Sequence, residues 1–224
     1  MPFLQIKDLG LRGYAGVWKA QKEIQQAMVE AKRAGKPVAE EQLWLVEHTD
    51  VITLGRHAER SNLLFARDEL ARRGVEVYDI ERGGDVTYHG PGQLVAYPLI
   101  DLEAHHLGVK SYVDLLEESV IRTIAHWGIE GERVEGATGV WIGKGTPAER
   151  KICAIGVKCT RFVTMHGLAL NVNTDLSRFN LINPCGFTDK GVTSVAVETG
   201  KNIPMPEIKQ RFSAEFRKLL EYSR

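Results

Sequence analysis

Eight short runs rich in β-branched and apolar residues, spread over residues 43–172, constrain the fold of this chain more than any other feature. They occupy 43–47, 51–54, 75–80, 94–99, 139–142, 152–158, 162–165 and 168–172, and Gly, Pro or polar residues separate them. Runs of this length and composition read as strands. Many of the links are too short to hold a crossover helix, which suits antiparallel neighbours. Helical spacing appears elsewhere. Tyr14, Val17, Trp18, Ile24, Met28 and Ala31 form one stripe, stopped by Gly35 and Pro37. Val113, Leu116, Val120 and Ile124 form a second within 111–127, before Gly128. A third starts with Pro206 as its first helical residue and carries Ile208, Phe212, Phe216, Leu219 and Leu220. A shorter helical turn over 65–73 ends at Gly74. Consecutive strands with helices set apart predict an α+β fold of mixed, largely antiparallel sheets flanked by helices. With no repeat or linker in 224 residues, a single domain over 1–224 is expected.

Composition narrows the class of partner. Lys plus Arg and Asp plus Glu both number 29, so no net charge favours nucleic acid or an anionic membrane. No apolar stretch approaches the roughly 20 residues that cross a bilayer, and the first residues lack the basic and apolar pattern of a secretion signal. Three cysteines, Cys153, Cys159 and Cys185, are too few for a disulfide framework and suggest reduced thiols in the cytoplasm. Neither they nor the seven histidines have a metal-ligand spacing, so no metal is expected.

Four stretches carry chemistry. Arg82-Gly83-Gly84-Asp85-Val86-Thr87-Tyr88-His89 leads into Gly90-Pro91-Gly92-Gln93. Paired glycines let backbone amides approach a ligand, and Arg82 and His89 add a fixed charge and a proton-exchanging ring. In isolation the stretch reads equally as a hairpin with a buried histidine. Next, Lys151 opens the apolar run Ile152-Cys153-Ala154-Ile155-Gly156. A lysine normally ends in solvent, but one against an apolar wall loses its charge more easily and then serves as a base. Ala154 and Gly156 leave room for an alkyl chain, as do Gly167 and Ala169 in His166-Gly167-Leu168-Ala169. Taken alone, His166 reads as a satisfied core or loop histidine. Finally, Pro184 and Gly186 frame Cys185 as an exposed thiol, whereas Cys153 and Cys159 read as small apolar fillers.

The ordered set RGGDVTYHGPGQLVAYPLIDL, GVW, KICAIGVK, HGLALNVNTDL and PCG resembles the lipoyl(octanoyl) transferases, and Gly55-Arg56 and Asn62-Leu63-Leu64 fit as well. The resemblance covers roughly residues 40–195. It implies a biotin/lipoate protein ligase-like catalytic domain without cofactor. The donor would be an octanoyl acyl carrier protein, and the acceptor a lysine on lipoyl domains of 2-oxoacid dehydrogenase complexes or the glycine cleavage H protein. It puts the acyl-thioester cysteine on Cys185 and the lysine that activates it on Lys151. Substrate contacts fall on Arg82, Gly83, Gly84, Asp85, Val86, Thr87, Tyr88 and His89, on Ala154, Ile155 and Gly156, and on Gly167, Leu168 and Ala169. In the mechanism expected, the Cys185 thiolate takes the acyl group and Lys151 then accepts the proton of the attacking amine. Backbone amides or His89 stabilise the oxyanion.

Overall fold

A computed structural model describes residues 3–38, 40–183 and 191–223. The chain runs through β1 (Phe3–Arg12), α1 (Tyr14–Arg33), β2 (Glu40–His48), β3 (Val51–Leu54), α2 (Arg67–Arg72), β4 (Glu76–Asp79), β5 (Val86–His89) and β6 (Gln93–Leu99). It continues through α3 (Val109–Ala125), β7 (Glu132–Val134), β8 (Ala137–Ile142), β9 (Arg150–Thr160), β10 (Val163–Asn171), β11 (Gly191–Val192), α4 (Val195–Thr199) and α5 (Met205–Tyr222).

The main sheet has the order β1-β2-β6-β10-β9-β8-β7, with β11 also paired to β9, and a smaller sheet has the order β4-β3-β5. The α+β expectation holds. Most pairs are antiparallel, and β1–β2, β3–β4 and β9–β11 are parallel. The predicted runs 162–165 and 168–172 are one strand, β10, because Gly167 stays in register opposite Gly156. A two-residue turn, Arg161-Phe162, with φ of 48° and 63°, joins β9 to β10. Positive φ at both central residues matches the right-handed twist of a tight hairpin. The sequence reading had no β1. Its alternation is interrupted at Gly10 (φ 63°), where the register against β2 also shifts. Pro206 is the second residue of α5, and Pro204 takes the cap position. The missing N–H of Pro206 costs nothing there, since the first-turn amides have no partner within the helix.

The two faces of the main sheet bury different sets of side chains. Tyr112, Leu116, Val120 and Ile124 of α3 and Ile208, Phe212, Phe216 and Leu220 of α5 cover one face, against Leu43, Leu45, Ile152, Cys153, Leu168 and Leu170. Val17, Met28 and Val29 of α1 pack on the other, against Trp44, Val46, Val95, Tyr97, Met165 and Ala169. The helix stripes seen in the sequence are these buried faces. No helix among the described residues is long and apolar enough to cross a membrane.

Candidate active site

Residues of both sheets line a cavity of about 400 Å³. Main-sheet residues Ala154, Ile155, Gly156, Gly167, Leu168 and Ala169 contribute one wall, and Arg82, Gly84, Asp85, Val86, Thr87 and His89 contribute the facing one. Lys151 lies with Thr138 and Val192, and Tyr14, Tyr97 and His166 also line it. Of the substrate-contact residues expected from the sequence, Gly83 and Tyr88 do not reach this cavity. The Gly83 amide donates to Val157 O (2.9 Å), clipping its loop to β9. Tyr88 packs with Ile52, Leu54 and Phe179 and its hydroxyl donates to Asp50, because alternation along β5 sends it opposite to Thr87 and His89.

A β-bulge aims Lys151 at the cavity. Trp141 pairs with Lys151 and Val140 with Cys153, so Ile152 is one residue in excess on β9. Ile152 and Cys153 therefore both enter the core, and Lys151 and Ala154 both line the cavity. Its Nζ donates to Thr138 O (3.2 Å) and lies 4.6 Å from the Trp141 ring centre. Gly139 makes this approach possible. It sits at φ 125°, and a Cβ there would meet Cys153 O at 2.5 Å and Lys151 Cε at 3.5 Å.

Arg82 does not offer the open charge expected of it. Its buried guanidinium donates to Thr53 O (2.8 Å), Thr53 Oγ1 (3.1 and 3.3 Å) and Gly83 O (3.0 Å), tying the glycine loop to β3. The small residues likewise do more than leave space. A Cβ on Gly156 would meet Gly83 O at 2.8 Å, and one on Gly167 would meet Ala96 O at 2.1 Å. Backbone fills both gaps, which leaves Ala154 and Ala169, paired across β9 and β10, as small side chains on the cavity wall.

His89 is anchored through a relay of two side-chain amides. Gln93 Nε2 donates to Asn171 Oδ1 (2.9 Å), and Asn171 Nδ2 donates to Thr193 O (3.0 Å). This orientation leaves Gln93 Oε1 to accept from His89 Nδ1 (2.8 Å). The neutral ring then presents Nε2 as an acceptor and has no N–H to offer at that nitrogen. Burial, helped by nearby His48, lowers its pKa to about 3. The same cause lowers His48 to about 4 and His166 to about 3, so all three rings are neutral near pH 7. His48 bonds Tyr97 Oη (2.9 Å) through Nε2, and Tyr14 stacks on His89 with ring centres 6.2 Å apart.

Cys185 lies outside the described residues. The chain on either side is tied to the site: Asn183 N donates to Asn62 O (2.8 Å), and after residue 190 Val192 pairs with Lys151. Cys153 is buried in the core, which pushes its thiol pKa up, and Cys159 is part-buried beside it. Both are fillers, as expected. No group of three His, Cys, Asp or Glu among the described residues is placed to hold a metal ion. The sequence reading passed over Tyr14, Tyr97, Gln93, Asn171, Thr138 and Gly139. Tyr14 stands out only as part of a helix stripe; Gln93, Tyr97, Gly139 and Asn171 fall inside the ordered motifs without a role of their own, and Thr138 carries no signal.

Residues 17–217 match the lipoyl protein ligase A/B catalytic domain family. The chain is 52% identical over 213 residues to an octanoyltransferase of Bacteroides thetaiotaomicron, covering 95% of this chain and 93% of the relative. It is 46% identical over 225 residues to an octanoyltransferase of Flavobacterium johnsoniae, covering 97% of each. A bipartite lipoate protein ligase of Thermoplasma acidophilum shares the fold with a TM-score of 0.72 at 16% identity, over 99% of this chain and 85% of that one. A biotin protein ligase of Aquifex aeolicus gives 0.53 at 11% identity, over 99% and 71%.

Proposed function

Because the chain belongs to the lipoyl protein ligase A/B catalytic-domain family, we propose that it is an octanoyltransferase of lipoate biosynthesis that works through a covalent thioester on Cys185. Residues 1–224 act as one catalytic domain in the cytoplasm. An octanoyl acyl carrier protein supplies the acyl group, and the lysine of a lipoyl domain, in a 2-oxoacid dehydrogenase complex or the glycine cleavage H protein, receives it. The observation that carries this reading is the bulge at Ile152, which turns Lys151 into the cavity, beside the strand where the chain re-emerges after Cys185.

In this mechanism Lys151 holds the Cys185 thiolate or takes its proton, and the two groups titrate as a pair. The thiolate attacks the carrier thioester carbonyl, a C–S bond forms, and the carrier thiol leaves with a proton. Exchange of one thioester for another is nearly balanced, so the acyl-enzyme accumulates. The incoming amine then attacks the acyl carbonyl, Lys151 accepts its proton, the C–S bond breaks with Cys185 leaving as the thiolate beside the Lys151 ammonium, and amide formation drives the reaction. Ala154 and Ala169 line the chain. Arg82, Gly83 and Gly84 fix the loop beside it, and Thr87 and His89 face it.

Intact mass measurement after mixing with octanoyl acyl carrier protein tests this. The wild type should gain one octanoyl group and lose it when a lipoyl domain is added. Cys185→Ser should gain none, and Lys151→Ala should slow adduct formation by about 10²–10⁴. An adduct that persists in Cys185→Ser sinks the assignment, as does turnover of free octanoate with ATP but none of the thioester.

A further inference from the structure

The wall of the acyl cavity contains one residue for which neither the fold nor the proposed chemistry accounts. His166 sits in the middle of β10 at φ 62°, a left-handed conformation uncommon outside glycine. This breaks the strand's alternation. Met165 packs on the α1 side with Tyr97, and the His166 ring lies on that side too, 6.5 Å from the Tyr97 ring. The His166 amide leaves the sheet ladder and donates to Gln21 Oε1 of α1 (3.0 Å). Strained backbone held in place by its surroundings is concentrated at ligand sites.

The second observation is chemical. His166 is 2% exposed and Gln21 fully buried, yet His166 Nε2 and Gln21 Nε2 have no hydrogen-bond partner. Buried polar atoms are nearly always satisfied, so unsatisfied ones beside a cavity call for a partner from the ligand or from water.

Register gives the position. His166 pairs with Val157, six residues (157 − 151) beyond Lys151; the bulge at Ile152 takes up one of them, so the strand between them advances about five steps, or about 17 Å at 3.3 Å per residue. Both residues line the same cavity. With C–C bonds of about 1.5 Å, an extended eight-carbon acyl chain is about 9 Å long and a twelve-carbon chain about 14 Å. A chain anchored beside the Lys151 ammonium would stop short of His166 at eight carbons and approach it at twelve.

We propose that His166 sets the upper length limit of the acyl group by placing a polar stop at the far end of the slot. An apolar chain end that reaches it buries the ring nitrogen without a partner, whereas a hydrogen-bonding chain end satisfies it. The inference rests on the acyl-transfer reading above and assigns its specificity to a residue outside the expected contacts.

The test measures kcat/KM for octanoyl, dodecanoyl and 12-hydroxydodecanoyl acyl carrier protein with an isolated lipoyl domain as acceptor. It compares the wild type with His166→Gly and His166→Asn, two residues that tolerate left-handed backbone. In the wild type, octanoyl should exceed dodecanoyl by at least tenfold, and the terminal hydroxyl should recover at least fivefold of that loss. His166→Gly should raise the dodecanoyl-to-octanoyl ratio at least tenfold and abolish the benefit of the hydroxyl, with His166→Asn between the two. Rates that fall equally for every chain would mean a structural role only, and an unmoved ratio overturns the proposal. If neither variant folds by circular dichroism, the wild-type comparison decides, and absence of a hydroxyl benefit overturns it. Octanoyl transfer by the wild type with unmoved ratios refutes only this inference. No octanoyl transfer at all refutes the functional reading and takes this inference with it.

Discussion

At the scale of single residues, the site depends on atoms that are missing as much as on those present. Gly139 is the clearest case, because both its φ of 125° and the 2.5 Å gap from an added Cβ to Cys153 O exclude a side chain. Gly145, at φ 73°, has open space around its Cβ position. Gly145→Ala should therefore cost only the left-handed backbone penalty of about 1–2 kcal/mol. Gly139→Ala should cost more, about 3 kcal/mol, because β8 or β9 must also move. Urea denaturation of the two variants measures the difference, and equal losses would mean that Gly139 is not sterically required. Lys151 and the RGG stretch were legible in the sequence, since charge and glycine stand out against apolar runs. The binding of Arg82 to Thr53 was not, because the residues are 29 apart in sequence and meet only through the second sheet.

At the scale of elements, the bulge on β9 decides which side of the sheet carries the chemistry. Period-two alternation puts Lys151 on the same face as Cys153, in the α3–α5 core. One excess residue reverses this and costs no side-chain burial, since Ile152 and Cys153 are both fully buried. The helices themselves followed directly from their stripes. In α5, Phe212 and Phe216 are fully buried against α3 and the main sheet. Phe212→Ala should lower stability by about 3–5 kcal/mol through lost burial and the cavity left behind. A drop in denaturant midpoint without a change in slope would report this. A loss below 1 kcal/mol would mean that α5 contributes little to the core. Strand β1 carries no local signal of its place, because among the described residues it pairs with β2, a parallel partner across α1, and no local pattern announces such a pairing.

At the scale of the whole molecule, three neutral histidines tie stability to pH. His48, His89 and His166 have folded pKa values of about 4, 3 and 3, below the ordinary 6.5. As pH falls below 6.5 the unfolded chain takes up these protons and the folded one does not, so stability present at neutral pH is lost. Each histidine contributes a slope of about 1.4 kcal/mol per pH unit. Total stabilities are about 5–15 kcal/mol, so the urea midpoint should fall steeply between pH 6 and pH 4.5. Depressed carboxylates such as Glu81 and Glu198 add to the loss only below their ordinary 4.5. A flat midpoint over that range would mean the rings are not buried as neutral groups. Periodicity and rare residue types are local signals, so the α+β class, the helix faces, the ordered motifs and Lys151 and Cys185 as separate candidates were legible in the chain, while their pairing is what the family resemblance implies. Only the tertiary structure decided that Lys151 faces the cavity, that Arg82 is a structural tie, and that Tyr14, Tyr97 and His166 line the same cavity. Those facts depend on strand register and on contacts between distant residues, which no local pattern encodes.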